Sequence, residues 1–218
     1  MTTLTARFAQ AVDYARIAHG SQVRKGSGIP YIYHPLAVAS LVLAHGGHED
    51  QAIAALLHDV LEDCGAAHEP AIRAQFGDVV AGIVQDCTDG TAEGKARHTN
   101  PEAKRRDWHA RKLAYLAHVR QESDAALLVA ACDKLHNASA IVEDLEDPAV
   151  GRAVFERFTG TREQTLGYYQ SLSEIFKARR SPVARAFDAM VARMHDLAGV
   201  APRVALSERP MSRVPFLR

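Results

Sequence analysis

Three short segments of this chain hold residue types that could do chemistry. The first is Leu56-Leu57-His58-Asp59-Val60-Leu61-Glu62-Asp63, where a histidine and three carboxylates follow an apolar run within six residues. Buried without partners, such groups cost several kcal/mol per charge, and crowded carboxylates repel one another unless a cation neutralises them. Imidazole and carboxylate are natural ligands of a divalent metal. The second segment, Tyr31-Ile32-Tyr33-His34-Pro35, sets a histidine just before a helix start. The third runs from Leu127 to Asn137, where an apolar stretch meets Asp133 in mid-helix and Asn137 follows one turn later. Each segment alone has a plainer reading: a solvated helix end, a structural histidine, or an Asp133 paired with a lysine or arginine. Together, His34, His58, Asp59 and Asp133 make metal ligation the better reading, because it gives every buried group a partner.

Helices must position these groups. Apolar residues recur at helical spacing almost throughout, and alternation of period two is nearly absent. The pattern predicts helices over 4–19, from about 35 to the Gly46-Gly47 pair, and over 49–63, 68–76, 78–88, 102–122, 123–144, 150–158, 161–180 and 183–198. A Gly-rich loop, GSQVRKGSGIP, precedes Tyr31. With His58 at zero on a helical wheel, Glu62 falls at about 40°, Asp59 at about 100° and Asp63 at about 140°. Leu57, Val60, Leu61 and Ile53 fall opposite, and Ala52 and Ala55 share the acidic side and leave space beside it. The expected architecture is all-α, a single compact helical bundle over 1–198, followed by a loosely attached tail over 199–218 that carries four arginines and one glutamate.

Bulk properties exclude several classes. The 218 residues carry 26 Lys+Arg and 26 Asp+Glu, so no global field points to nucleic acid or an anionic membrane. The N-terminus has no apolar signal core, and the longest strictly apolar run, Ala125 to Cys132, is too short to span a bilayer. Cys64, Cys87 and Cys132 lack zinc-ribbon spacing and read as reduced thiols of a cytoplasmic protein. Residues 95–112 hold seven Lys/Arg against two acids and read as a solvated loop and helix face.

The segments AHGSQVRKGSGIPYIYHP (18–35), LLHDVLED (56–63) and CDKLHN (132–137), in this order and spacing, resemble the HD-domain metal phosphohydrolases. More narrowly, they are similar to the hydrolase domain of the RelA/SpoT group and its stand-alone small alarmone hydrolases, over roughly residues 5–180. The resemblance implies that His34, His58, Asp59 and Asp133 ligate one metal, usually manganese (Mn2+). It implies that Glu62 and Asp63 handle water and protons, and that Asn137 holds substrate near its ribose and phosphates. Arg24 and Lys25 match a basic pair associated with base and phosphates, with Lys134, Arg111, Lys112, Tyr168 and Tyr169 as further carry-overs. Two positions depart from the family pattern: Cys132 stands where alanine is common, and Gly167 where a large aromatic is expected.

The chemistry so implied is hydrolysis of a nucleotide 3′-diphosphate, with (p)ppGpp the expected substrate and pyrophosphate the product. A bound divalent ion would lower the pKa of water and offset phosphoryl charge. A related site could instead take an adenosine alarmone or the 2′-phosphate of NADPH, or a degenerate domain could only sense nucleotides. The intact acidic pair and ligand set argue against the last. The expected partner is a small nucleotide, with no nucleic acid and no membrane.

Overall fold

The chain begins its first helix where Thr5 Oγ1 accepts from the Arg7 amide, capping α1 (Ala6–His19). In the computed structural model, which describes residues 2–88 and 100–208, it continues through α2 (Tyr33–Ala44), α3 (Glu49–Leu57), α4 (Glu69–Phe76) and α5 (Asp78–Cys87). Four longer helices follow: α6 (Pro101–Val119), α7 (Asp124–Glu146), α8 (Arg162–Ala178) and α9 (Ala184–Ala198). Side chains of Asn100, Ser123 and Thr161 accept the first free amides of α6, α7 and α8, as serine, threonine and asparagine do at helix starts. α9 ends at Gly199, whose left-handed φ of 67° stops the helix. No strand occurs among the described residues. The architecture is all-α.

The centre is α7. Leu127 to Asp133 are buried, and the helix packs against α2, α3, α5 and α9. It is long and apolar enough to cross a membrane by length and composition, but its apolar surface is spent on these neighbours. α3 is buried on every side from Gln51 to Leu57 by α1, α2, α5 and α7. Ala52 and Ala55 therefore leave no open space, contrary to expectation: they let neighbouring helices approach closely.

The structure revises three further expectations. The helix over 49–63 is not continuous. It stops at Leu57; Asp59 precedes a π turn, Val60–Cys64, that carries Glu62 and Asp63. His58 causes part of this, because its Nδ1–H donates to the Ala55 carbonyl at 2.8 Å and satisfies a group orphaned at the helix end. The wheel angles for Glu62 and Asp63 no longer hold beyond His58. The Gly-rich loop is more ordered than a plain loop, with Val23 and Pro30 forming a bridge and Arg24 N donating to Ile29 O at 2.9 Å.

The third revision concerns the tail. Its first residues dock firmly: Leu206 N bonds Gly167 O at 3.0 Å and Ser171 Oγ at 2.9 Å, His109 Nε2 bonds Ser207 O at 2.8 Å, and Arg203 reaches Gln170 and Asp188. A Cβ on Gly167 would meet the Leu206 backbone at 3.2 Å, so the missing side chain is what admits the strap. Residues 209–218, and the part of the basic segment over 95–99, lie outside the described residues.

Candidate metal centre and active site

Three parts of the fold aim four side chains at one point. The first turn of α2 supplies His34, the end of α3 supplies His58 and Asp59, and the middle of α7 supplies Asp133. His34 Nε2 lies 3.1 Å from Asp133 Oδ1 and 3.4 Å from Asp59 Oδ2. His58 Nε2 lies 3.1 Å from Asp59 Oδ2 and 3.5 Å from Asp133 Oδ1. Donors about 2.1 Å from a shared cation stand roughly 3.0–3.4 Å apart at octahedral or tetrahedral angles. The spacing therefore fits a divalent ion.

An orphaned atom supports that fit. His58 Nε2 is buried and makes no hydrogen bond despite two carboxylate oxygens nearby. Its other nitrogen is committed to the Ala55 carbonyl, so in the neutral ring Nε2 carries a lone pair toward the cluster. Burial alone would raise the Asp59 and Asp133 carboxyls. Charge interaction with His58 holds Asp59, and the Lys134 ammonium first of all holds Asp133, well below the usual carboxylate range. Burial alone would lower His58, but Asp59 and Asp133 hold it well above its ordinary value. Two carboxylates and two imidazoles whose donor atoms converge form a set that a divalent cation would suit.

A surrounding shell fixes the donors. Tyr31 Oη donates to Asp59 Oδ2 at 2.5 Å, and burial beside the acids raises that phenol far above its ordinary pKa, so it stays a donor. Lys134 Nζ holds Asp133 Oδ2 at 2.6 Å, and Asn137 Nδ2 reaches Asp133 Oδ1 at 2.6 Å. His34 Nδ1 faces His136 Nδ1 at 2.8 Å. Burial, then the charges of His34 and Arg24, push His136 down to about 4.

The remaining predicted residues are only partly brought to the centre: Arg24, Lys134 and Asn137 contact it or each other, whereas among the described residues no contact ties Arg111 to it. Arg24 donates to Asn137 Oδ1 at 3.0 Å, latching the Gly-rich loop to α7, with Lys25 exposed beside it. Gly26 is favoured here because its φ of 86° lies in the left-handed region that side-chain-bearing residues rarely adopt. Glu62 is half-buried on the π turn, and Asp63 is exposed, with Oδ2 accepting from Gln22 Nε2 at 2.9 Å. Lys134 Nζ lies 5.1 Å from the Tyr115 ring, and Lys112 Nζ lies 5.0 Å from the Tyr168 ring. Tyr169 packs against Tyr168, while Arg111 is paired with Asp107. Tyr31, Gln22, Tyr115 and the His136 ring also bear on the site, and no pattern in the sequence marks their part in it. Tyr31 and His136 sit inside the quoted motifs, but nothing local tells which atoms they meet.

This donor set on an all-helical scaffold defines a class, the HD-type metal site. The chain belongs to the HD domain family, whose profile matches residues 11–161. It is 34% identical to guanosine-3′,5′-bis(diphosphate) 3′-pyrophosphohydrolase MESH1 of Xenopus tropicalis, over 83% of this chain and 88% of that one. It is 35% identical to the guanosine-3′,5′-bis(diphosphate) 3′-pyrophosphohydrolase of Aquifex aeolicus over 61% of this chain, which is 17% of that longer protein. Among solved structures, a metazoan ortholog of SpoT that hydrolyses ppGpp superposes with a TM-score of 0.67 at 24% identity, over 88% of this chain and 98% of that one. The protein lmo0812 of Listeria monocytogenes gives a TM-score of 0.60 at 25% identity, over 78% of this chain and 97% of that one.

Proposed function

We propose that this protein is a manganese-dependent (p)ppGpp 3′-pyrophosphohydrolase. The observation that carries the reading is the convergence of four donor atoms, from three separate elements, at 3.1–3.5 Å. The likeness to MESH1 over 83% of the chain supports the choice of substrate.

In this reading His34, His58, Asp59 and Asp133 hold the ion. When bound, it offsets charge on the phosphoryl oxygens and eases ionisation of water. Glu62 orients the attacking water and accepts its proton at a carboxylate oxygen. The water oxygen bonds to the phosphorus attached to the ribose, the bond from that phosphorus to the 3′-oxygen breaks, and Asp63 delivers a proton to the departing 3′-oxygen. Pyrophosphate leaves, and the nucleoside keeps a free 3′-hydroxyl. Arg24, Lys25, Lys112 and Lys134 balance the substrate's negative charge, which the acidic turn would otherwise repel. Asn137 holds the ribose side, and Tyr168 forms part of the wall. Free thiols at Cys64, Cys87 and Cys132 suit the reducing cytoplasm.

The test uses metal-stripped protein with Mn2+ restored, offered ppGpp, ppApp and NADPH side by side. Pyrophosphate release from ppGpp that depends on Mn2+ is expected. Release mainly from ppApp, or phosphate from NADPH alone, would overturn the substrate while keeping the site. Glu62→Gln is expected to retain the ion and lose about 100-fold or more in kcat. Full kcat at saturating metal and substrate would remove Glu62 from the mechanism.

A further inference from the structure

Two histidines of the candidate centre are oriented by different means. His58 Nδ1 faces the Ala55 carbonyl at 2.8 Å, and a carbonyl can only accept. His34 Nδ1 faces another imidazole, His136 Nδ1, also at 2.8 Å. That separation requires one hydrogen between the two nitrogens, and either ring can supply it. If His34 Nε2 is to ligate a cation beside Asp59 and Asp133, its lone pair must point there. The single hydrogen of the neutral His34 ring then sits on Nδ1, and the atom opposite must accept it.

We infer that His136 is a positioning residue that accepts a hydrogen bond from His34 Nδ1 and so holds His34 in its metal-ligating tautomer. The inference rests on the reading of His34 as a metal ligand. His136 is 8% exposed, its ring meets the Tyr33 ring edge-on at 5.2 Å, and it lies tilted against His34 at 4.9 Å between centroids. It has little freedom to turn away. It also lies three residues after Asp133, so one turn of α7 supplies a ligand and the support of another ligand 102 residues away in sequence. The ion would thereby be tied more strongly to α7 than through Asp133 alone.

Calorimetric titration of metal-stripped protein with Mn2+ tests this without an activity readout. His136→Leu keeps the volume and removes the acceptor, and metal affinity is expected to fall about 10–100-fold. In His136→Asn the amide oxygen stands near the place of Nδ1 and can accept. Its affinity is expected to recover to within about threefold of wild type, which a merely space-filling role would not produce. Wild type that takes up Mn2+ while His136→Leu binds within about twofold of it overturns this inference alone. Wild type that takes up no divalent ion overturns the metal reading and this inference with it. Should His136→Leu fail to fold, the zinc-loaded wild type decides by long-range proton–nitrogen NMR of the imidazoles. A hydrogen on His34 Nδ1 supports the inference, and one on His136 Nδ1 overturns it.

Discussion

Asp59 and Asp133 both offer an oxygen to the candidate centre, but their other attachments differ. Asp59 accepts from the neutral Tyr31 phenol, whereas Asp133 also carries the buried Lys134 ammonium at 2.6 Å. Replacing either by asparagine removes a negative charge that the ion needs. Only Asp133→Asn also strands a buried cation, at a cost of about 3 kcal/mol. Both variants are expected to lose metal, read by elemental analysis, and activity with it. Urea denaturation of the metal-free proteins should show Asp133→Asn markedly destabilised and Asp59→Asn much less so. Equal stability of the two would mean that Lys134 finds another partner or faces water. Ligation and folding can be separated here because the two carboxylates have different second partners.

At the scale of elements, two junctions set stability outside the site. The strap over 200–208 lies on α8 because Gly167 has no side chain, with Leu206 backbone atoms 3.2 Å from where a Cβ would stand. Gly167→Val is expected to lift the strap and destabilise the protein by about 1–3 kcal/mol, with new protease cleavage near Leu206. At the turn between α6 and α7, both Glu122 carboxylate oxygens are buried without a hydrogen bond. Burial first, then Asp86, raises this carboxyl to about 8, while Arg179 and Lys134 act in the opposite direction. The folded state thus keeps a proton that the unfolded chain releases near its ordinary value of 4.5. Stability from this group is greatest below that value, falls as pH rises toward about 8, and levels off above. Glu122→Gln should abolish this slope and stabilise the protein at alkaline pH by on the order of 2 kcal/mol, measured as urea midpoints from acid to alkaline pH. A wild-type midpoint that stays flat over this range would show that Glu122 is ionised and solvated.

At the scale of the whole molecule, an ion held by α2, the end of α3 and the middle of α7 would join elements that meet only in the folded chain. Its binding energy then adds to folding. At a free Mn2+ concentration of 100 times Kd, the gain is about 2.7 kcal/mol. For a chain of this size that is roughly 5–10 °C in Tm. Thermal melts with and without Mn2+, reversed by a chelator, check this. A metal-independent Tm would mean that the four donors do not share an ion.

Much of this was legible in the linear chain. Most helices announced themselves by the period of their apolar residues and by breaks such as Pro148 and the Ser181-Pro182 pair, because those signals act within a turn or two. His34, His58, Asp59 and Asp133 could be singled out because polar groups beside long apolar runs need partners wherever the chain goes. The π turn after His58 was not legible, since it depends on a side chain bonding back to the Ala55 carbonyl. Neither was the docking of Leu206 on Gly167, where an absent side chain matters only once another segment arrives. From the linear chain alone, most helices and a set of candidate donor residues could be marked, because propensity and burial cost act locally. Packing brings Tyr31 to Asp59 and the His136 ring to His34, and encloses α3 on every side. Those contacts join residues far apart in the chain, and only the packing of whole helix faces selects them.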